Sequence, residues 1–330
     1  MEYLSVFADH ISGLIEQKRA LGYKYESQPG ILKRFDTFCL ERHPNETELS
    51  REIVLDWAVK SPNEKPATLQ GRITAVSELA KYMLRLGFTA FILPRGMLPH
   101  VPRYIPHIYS NDELKRIFEQ TDNCHYCYEV PNRHFVMPVF FRLLYSCGLR
   151  LSEARLLKVC DVDLQEGIIT ITNAKLDKHR QIPVSPQLLE RLNGYYRNIH
   201  IFSTPDSWFF PGFGGKPMTM GNVEKNLHRF LWKAGISCSG RNSKPEQPGG
   251  PNVHSFRHTF AVHCLRKWVL EDKDLRAYLP VLQAYLGHVE VSDIAYYLHL
   301  TADLFPNITE KVQAVMGDII PKARDFNEAD

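Results

Sequence analysis

The chain has 330 residues, of which 44% are hydrophobic and 23% are charged, and its formal net charge is +3. This length suits about two domains, and the hydrophobic share is enough for ordinary buried cores. The sequence has no run of about 18 apolar residues, and its first residues lack the basic and apolar regions of a signal peptide, so we expect a soluble cytoplasmic protein with no membrane partner.

The cysteines and the net charge indicate which compartment and which partners suit the protein. Seven cysteines, an odd number scattered along the chain, favour a reducing compartment over a disulfide framework. The net charge is too small to indicate nucleic acid by itself. A DNA-binding face would have to come from local placement of lysine and arginine.

Residues 3–90 are predicted to form a bundle of three or four helices, because apolar residues recur there at helical spacing. Ser50 is a suitable cap for one of these helices, and 68–86 predicts another. Basic side chains occupy polar positions of the bundle, where they form either an ordinary solvated face or a surface for DNA phosphates. The candidates for phosphate contacts are Lys18, Arg19, Lys24 and Arg72.

Residues 93–109 contain four prolines and are predicted to be an extended linker. Arg95 and Arg103 lie between these prolines, so the segment is either a basic strap along DNA or a simple spacer. Ser110 and Glu113 then form a capping-box pattern at the start of a helix over 114–121.

Cys124, Cys127 and His134 resemble part of a zinc site. They supply three good ligands where a structural zinc needs four, so we predict an ordinary loop with unpaired thiols and no bound metal.

Residues 135–147 predict a buried helix, and 167–172 followed by 181–184 predict a β-hairpin whose turn contains Lys175 and Lys178. Helices are expected over 186–199 and 219–234, and a mobile surface loop over 238–252. An amphipathic helix over 308–316 would pack on its own domain or dock on a neighbouring protomer, and we expect disorder from Pro321 onward.

Three short motifs and a tyrosine stand in order between residues 148 and 297. They are Gly148-Leu-Arg150-Leu-Ser-Glu153, His254-Ser-Phe-Arg257-His258, Leu286-Gly287-His288 and, nine residues later, Tyr297. Together they resemble the signature of the tyrosine recombinase (phage integrase) family, in its simple two-domain form similar to Xer-like or transposon-encoded recombinases. The 175–183 stretch resembles the family's lysine hairpin, with alanine and leucine in place of its two glycines.

The resemblance implies a site-specific recombinase that cleaves and rejoins DNA through a 3′-phosphotyrosyl intermediate, for integration, excision or replicon resolution. It assigns the nucleophile to Tyr297, with Tyr296 as the nearest alternative. Arg150 and Arg257 would bind the phosphate, His254 would act as the base and Lys175 as the acid. His288 would form a hydrogen bond with the phosphate, and Glu153 would orient neighbouring basic groups. Lys178 stays open as an alternative to Lys175, and Lys178 and Arg180 are further candidates for DNA contacts.

The resemblance also implies an architecture. The expected fold is mainly α with a small β-hairpin or sheet (α+β): a SAM-like core-binding bundle over 1–92, a basic linker over 93–109, and a catalytic domain with a tail helix over 110–320. The implied partner is double-stranded DNA with an inverted-repeat site, bound at the bacterial nucleoid by a homo- or heterotetramer on two duplexes, with accessory recombinases as further partners.

No cofactor is expected, because the sequence contains no Gly-Lys-Ser nucleotide loop and no pair of carboxylates arranged for a metal. Two other functions remain open from the sequence: relaxation of DNA by a type IB topoisomerase, and DNA binding by an accessory factor that has lost catalysis.

Overall fold

The computed structural model describes residues 2–98, 101, 105–130, 132–172, 179–238, 250–287 and 297. The chain forms two compact units, Met1–Arg103 and Tyr104–Asp330. The described residues are mostly helical with one small antiparallel sheet, so the expected α+β class is confirmed.

The described residues of the first unit form four α-helices, in agreement with the three or four that the apolar periodicity predicted. They are α1 (Ala8–Ala20), α2 (Gln28–Arg42), α3 (Arg51–Trp57) and α4 (Pro66–Arg85). The Ser50 hydroxyl accepts a hydrogen bond from the Ile53 amide and caps α3, which confirms the predicted helix start. The bundle has its own hydrophobic core, in which Leu14, Phe35 and Leu79 are fully buried.

The second unit is built around the apolar helix α6. Its helices are α5 (Asn111–Asp122), α6 (Arg133–Ser146), α7 (Leu151–Arg155), α8 (Pro186–Ile199), α9 (Met220–Lys233), α10 (Val253–Leu270) and α11 (Leu275–Leu286). Phe140 and Phe141 of α6 and Phe256 of α10 are fully buried in one cluster. The predicted capping box at Ser110 and Glu113 is confirmed, with both reciprocal hydrogen bonds formed.

A three-stranded antiparallel sheet, in the order β1-β2-β3, covers one part of this core. Its strands are β1 (Val162–Asp163), β2 (Ile168–Ile171) and β3 (Arg180–Pro183). Ile169 pairs with Ile182, and both side chains are fully buried. Arg180 opposes Ile171 at the first residue of β3, so the predicted hairpin is confirmed, while its turn at 173–178 lies outside the described residues.

All seven cysteines are free thiols. Among the helices of the described segments, none is both long enough and apolar enough to cross a bilayer.

Candidate functional site

Three arginines from three different elements converge on the C-terminal end of α11. Arg180 of β3 donates its Nε to the Tyr285 carbonyl at 2.8 Å. Arg257 of α10 donates Nη2 to the Leu286 carbonyl at 2.7 Å, and Arg150, at the start of α7, donates Nη2 to the Gly287 carbonyl at 2.9 Å. The last carbonyls of a helix lack intrahelical donors and carry partial negative charge, so they are natural acceptors for guanidinium groups.

Glu153 lies between two of these arginines. Its Oε1 accepts from Arg150 Nη1 at 2.8 Å and from Arg180 Nη1 at 3.0 Å, while its Oε2 accepts from Arg180 Nη2 and from the Arg150 backbone amide. Burial by itself raises the pKa of Glu153, but the hydrogen bonds and charges of Arg180 and Arg150 outweigh it and hold the pKa at about 2. The carboxylate is therefore ionised at neutral pH and fixes the orientation of both guanidinium groups.

Arg257 is almost completely buried, with 1% of its surface exposed. Its Nη1 donates to the Gly148 carbonyl at 2.8 Å, in addition to the bond to Leu286. Burial, followed by the positive charge of Arg150, lowers the pKa of Arg257 to about 10, while Tyr297 and Glu153 oppose the shift. The guanidinium is still cationic at neutral pH.

Two glycines allow the backbone to present these carbonyls. Gly148 and Gly287 have φ angles of 57° and 67°, in the left-handed region that favours glycine. A Cβ on Gly148 would lie 2.6 Å from Phe260 Cδ1, and a Cβ on Gly287 would lie 2.8 Å from Arg180 Nη1. The glycines of the two motifs are therefore required by both conformation and space.

His254, His258 and Tyr297 form a row beside Arg257. His254 lies in the first turn of α10 and is exposed, and its ring centroid is 4.5 Å from that of His258. The His258 ring lies 5.5 Å from the ring of Tyr297. Tyr297 is 2% exposed and packs in a small cluster with residues of α10 and α11, among them Val262 and Leu286.

The structure thus brings together Arg150, Glu153, Arg257, His254 and Tyr297, which the sequence selected as catalytic candidates. Lys175, Lys178, His288, Arg103 and the tail beyond residue 300 lie outside the described residues, as does the side chain of Arg95.

The basic candidates of the first unit differ in their surroundings. Arg19 and Lys24 are exposed on the bundle, and Lys18 pairs with Glu78 at 3.0 Å. Arg72 instead donates to Glu64 Oε1 at 2.7 Å and to the carbonyls of Trp57 and Val59. The geometry favours a structural role for Arg72 over the DNA contact that the sequence suggested, because its guanidinium bonds inside the bundle.

The Cys127 thiol donates a hydrogen bond to Glu129 at 2.7 Å, and the His134 ring lies tilted beside that of Phe135, with ring centroids 3.9 Å apart. Within the described residues, no group of three or more His, Cys, Asp and Glu side chains is placed to hold a metal ion.

Two residues have closer links to the site than the sequence indicated. Arg180, a candidate for DNA contacts, has its guanidinium bound to Glu153 and the Tyr285 carbonyl, with 10% of the side chain exposed. His258, for which the sequence indicated only a structural or supporting role, lies between His254 and Tyr297. Its four-residue spacing from His254 was the available signal, because residues i and i+4 share a helix face.

A model described as the phage integrase family matches residues 108–303, more than half of the chain. The chain therefore belongs to the phage integrase family and is a tyrosine-type site-specific recombinase.

Individual relatives agree with this assignment. A protein of Sinorhizobium fredii (strain NBRC 101917 / NGR234) described as an integrase/recombinase, y4rB, is 28% identical over 320 residues, covering 94% of this chain and 98% of the relative. The tyrosine recombinase XerC of Chlamydia caviae is 24% identical over 288 residues, covering 83% of each chain.

Solved structures share the fold. The XerH site-specific recombinase bound to difH substrate, in a pre-cleavage complex, has a TM-score of 0.62 at 19% identity, covering 92% of this chain and 85% of that one. The Tn1549 transposon integrase in complex with circular intermediate DNA has a TM-score of 0.63 at 14% identity, covering 87% of this chain and 94% of that one.

Proposed function

We propose that this recombinase cuts double-stranded DNA by attack of the Tyr297 hydroxyl on the scissile phosphorus. A bond forms between the phenolic oxygen and phosphorus, and the bond from phosphorus to the 5′-oxygen of the next nucleotide breaks. The observation that carries the proposal is the convergence of Arg150 and Arg257 on consecutive carbonyls at the end of α11, with Tyr297 packed against the same helix.

Arg150 and Arg257 would stabilise the negative charge that develops on the non-bridging phosphate oxygens. A guanidinium stays charged at neutral pH and offers a planar set of donors that matches phosphate geometry. Arg150 is the more accessible of the two, with 27% of its side chain exposed, so we assign it the direct contact to the incoming phosphate. The buried Arg257 would stabilise the same charge from the protein interior. It is close enough to Tyr297 to interact with it electrostatically.

Proton transfer completes the step. A tyrosine hydroxyl ionises near pH 10, so Tyr297 must lose its proton during attack. His254 is our candidate for the base, and on rejoining it would return the proton to the phenol. We assign protonation of the leaving 5′-oxygen to Lys175, with Lys178 as the alternative, and a hydrogen bond to the phosphate to His288.

The phosphotyrosyl bond keeps the energy of the broken phosphodiester. A 5′-hydroxyl of a second DNA end can therefore attack it, release Tyr297 and exchange strands without hydrolysis of a nucleotide. We propose that four protomers act on two duplexes at an inverted-repeat site, and that the helical unit over 1–92 and the linker over 93–109 hold the DNA against the catalytic domain over 110–320. Exposed Arg19 and Lys24 are the described side chains that best suit phosphate contacts there. A protein with this substrate works on cellular DNA, at the nucleoid.

Covalent capture of DNA tests the proposal and identifies the target sequence in the same experiment. Sheared and lightly nicked genomic DNA from the source organism is incubated with the protein, and DNA bound after denaturation is recovered and sequenced. We expect the wild-type chain to enrich one inverted-repeat sequence, and Tyr297→Phe to recover none while still binding that sequence in a mobility-shift assay.

Two results would contradict the proposal. Adduct formation by Tyr297→Phe at the wild-type rate would exclude this tyrosine as the nucleophile. Adducts spread over all sequences, together with relaxation of any supercoiled plasmid, would indicate a topoisomerase instead.

A further inference from the structure

We propose that Arg180 is a positioning residue for strand cleavage, which joins the β-hairpin to the two phosphate-binding arginines through Glu153 and the end of α11. This inference rests on the proposed function and deepens it. Arg180 would not touch DNA, but would hold Arg150 and the hairpin in the arrangement that cleavage needs.

The guanidinium of Arg180 is held by acceptors on two sides. Nη1 and Nη2 of Arg180 lie 3.0 and 2.8 Å from the two carboxylate oxygens of Glu153, and Nε lies 2.8 Å from the Tyr285 carbonyl. A bidentate pair of this kind fixes orientation as well as distance. The side chain is 10% exposed, so little of it is available to a phosphate in solution.

Arg180 shares an acceptor with Arg150. Glu153 Oε1 accepts from both guanidinium groups, at 2.8 Å from Arg150 and 3.0 Å from Arg180. With Arg180 removed, the 2% exposed carboxylate would keep one cationic partner and gain freedom to rotate. Arg150 would then lose its fixed position relative to the Gly287 carbonyl.

Arg180 lies close in the chain to the candidate general acid. It is the first residue of β3, five residues after Lys175 and two after Lys178. Its bonds to Glu153 and to Tyr285 anchor this end of the hairpin turn to α7 and α11. The strand that follows the candidate general acid in the chain is therefore tied to the same helix end whose carbonyls accept from Arg150 and Arg257.

A direct DNA contact and a positioning role make different predictions for Arg180→Gln. Loss of a phosphate contact weakens DNA binding and lowers the slope of log affinity against log salt by about 1. Loss of a positioning residue leaves affinity and slope unchanged and slows cleavage, because a misplacement of about 1 Å in a catalytic group costs on the order of 10²-fold in rate.

The experiment uses the full chain and a nicked duplex carrying the site recovered by covalent capture. Wild type, Arg180→Gln, Arg180→Lys, Glu153→Gln and the Arg180→Gln/Glu153→Gln double variant are compared for DNA affinity at several salt concentrations and for the rate of adduct formation at saturating protein. Circular dichroism follows their thermal unfolding. Arg142→Gln is the matched control, since Arg142 is also a mostly buried arginine, 14% exposed and bonded to Asp122 at 2.6 Å, but lies on α6 away from the site.

We expect Arg180→Gln to form the adduct about 10²-fold more slowly than wild type, with a dissociation constant within about twofold of it. The rate loss of the double variant should be well below the product of the two single losses, since both changes break the same bridge between Arg180 and Glu153. Arg180→Lys keeps the charge but loses the bidentate pair with Glu153, so it should also form the adduct slowly. This variant tests the inference even if the glutamine variant does not fold. Arg142→Gln should lose stability and keep the wild-type rate.

Three outcomes would overturn the inference alone: a wild-type rate in Arg180→Gln or Arg180→Lys, weaker DNA binding with a reduced salt slope, or rate losses that add fully to those of Glu153→Gln. A wild-type chain that forms no adduct would overturn the proposed function itself, and this inference with it.

Discussion

Arg257 is a charged side chain in the interior whose guanidinium bonds two backbone carbonyls. Its two terminal nitrogens bond the Gly148 and Leu286 carbonyls, which belong to two of the sequence motifs. The arginine therefore joins the start of the Gly-Leu-Arg segment to the end of α11, in addition to its proposed contact with the phosphate charge. Its replacement should affect both the fold and the reaction.

We predict that Arg257→Lys forms the covalent adduct about 10²- to 10³-fold more slowly than wild type, because an ammonium cannot occupy both carbonyl sites and still face the phosphate. One buried carbonyl would be left without a donor, which should lower the free energy of unfolding by about 1–3 kcal/mol. Single-turnover adduct assays and urea denaturation measure the two effects. Arg276→Lys, at a solvent-accessible position of α11, should match wild type in both. An unchanged rate in Arg257→Lys would remove Arg257 from the proposed mechanism.

Glu153 makes the stability of the second unit depend on pH. Its pKa is held at about 2 in the folded chain, against an ordinary value of 4.5. Since the folded pKa is the lower one, the stabilisation is complete above about pH 4.5 and is lost as the pH falls toward 2. It amounts to on the order of 3 kcal/mol for a shift of this size.

We therefore predict that Glu153→Gln is less stable than wild type at pH 7, and that this difference shrinks as the pH is lowered from 5 toward 3. Urea denaturation at a series of pH values measures it. Glu52→Gln, on the exposed face of α3, is the control and should follow the wild-type curve. A difference between Glu153→Gln and wild type that stays constant across the range would show that the pKa of Glu153 is not depressed.

Among the helices and strands, the end of α11 organises the site. Its last carbonyls accept from β3, α10 and the start of α7, so three separate segments are fixed by one helix terminus. Gly287 makes this possible, because it ends the helix in a left-handed conformation and leaves room for the Arg180 guanidinium.

We predict that Gly287→Ala lowers the free energy of unfolding by at least about 1–2 kcal/mol, the usual cost of alanine in the left-handed region, and slows adduct formation by displacing Arg180. Gly194→Ala is the matched control, because Gly194 lies inside α8 with open space at its Cβ position. That variant should be more stable than wild type by about 0.5–1 kcal/mol and equally active. Equal stabilities of the two variants in urea would contradict this account of Gly287.

Local patterns predicted the elements well where the controlling interactions are local. The capping box at Ser110 and Glu113 acts within four residues. The helix Pro186–Ile199 begins where it was predicted to begin, because the Ser185 side chain caps it and proline occupies its first position. The contacts of Arg180 span 27 residues to Glu153 and 105 to Tyr285, so no local pattern could indicate them. The bonds of Arg72 could not be predicted for a similar reason, since its position on a polar helix face does not reveal that Glu64 and two carbonyls accept its donors.

The order of the motifs carried more information than their local structure. Gly148, Arg257 and Leu286 are far apart in the sequence, yet the Arg257 guanidinium donates to the carbonyls of both Gly148 and Leu286. A family resemblance can predict that such residues meet, but not which atoms they use. The acceptor role of the α11 carbonyls and the place of His258 beside Tyr297 emerge only from the folded arrangement.

The two units of the chain have separate hydrophobic cores. The core of the first contains Leu79 of α4, and that of the second is built on α6 and α10. Catalytic candidates with described positions all belong to the second unit, while the exposed basic candidates Arg19 and Lys24 belong to the first. Stability changes in one core should therefore be separable from those in the other.

We predict that Leu79→Ala destabilises the first unit by about 2–5 kcal/mol, because it removes the branched end of a fully buried side chain and leaves a cavity. Hydrogen exchange followed by mass spectrometry should show faster exchange of amides in α1–α4 and unchanged exchange in α6 and α10. Leu84→Ala on the same helix is the control, since Leu84 is 45% exposed and its truncation should change stability by less than about 0.5 kcal/mol. Equal acceleration of exchange in α6 and α10 by Leu79→Ala would mean that the two cores unfold as one cooperative body.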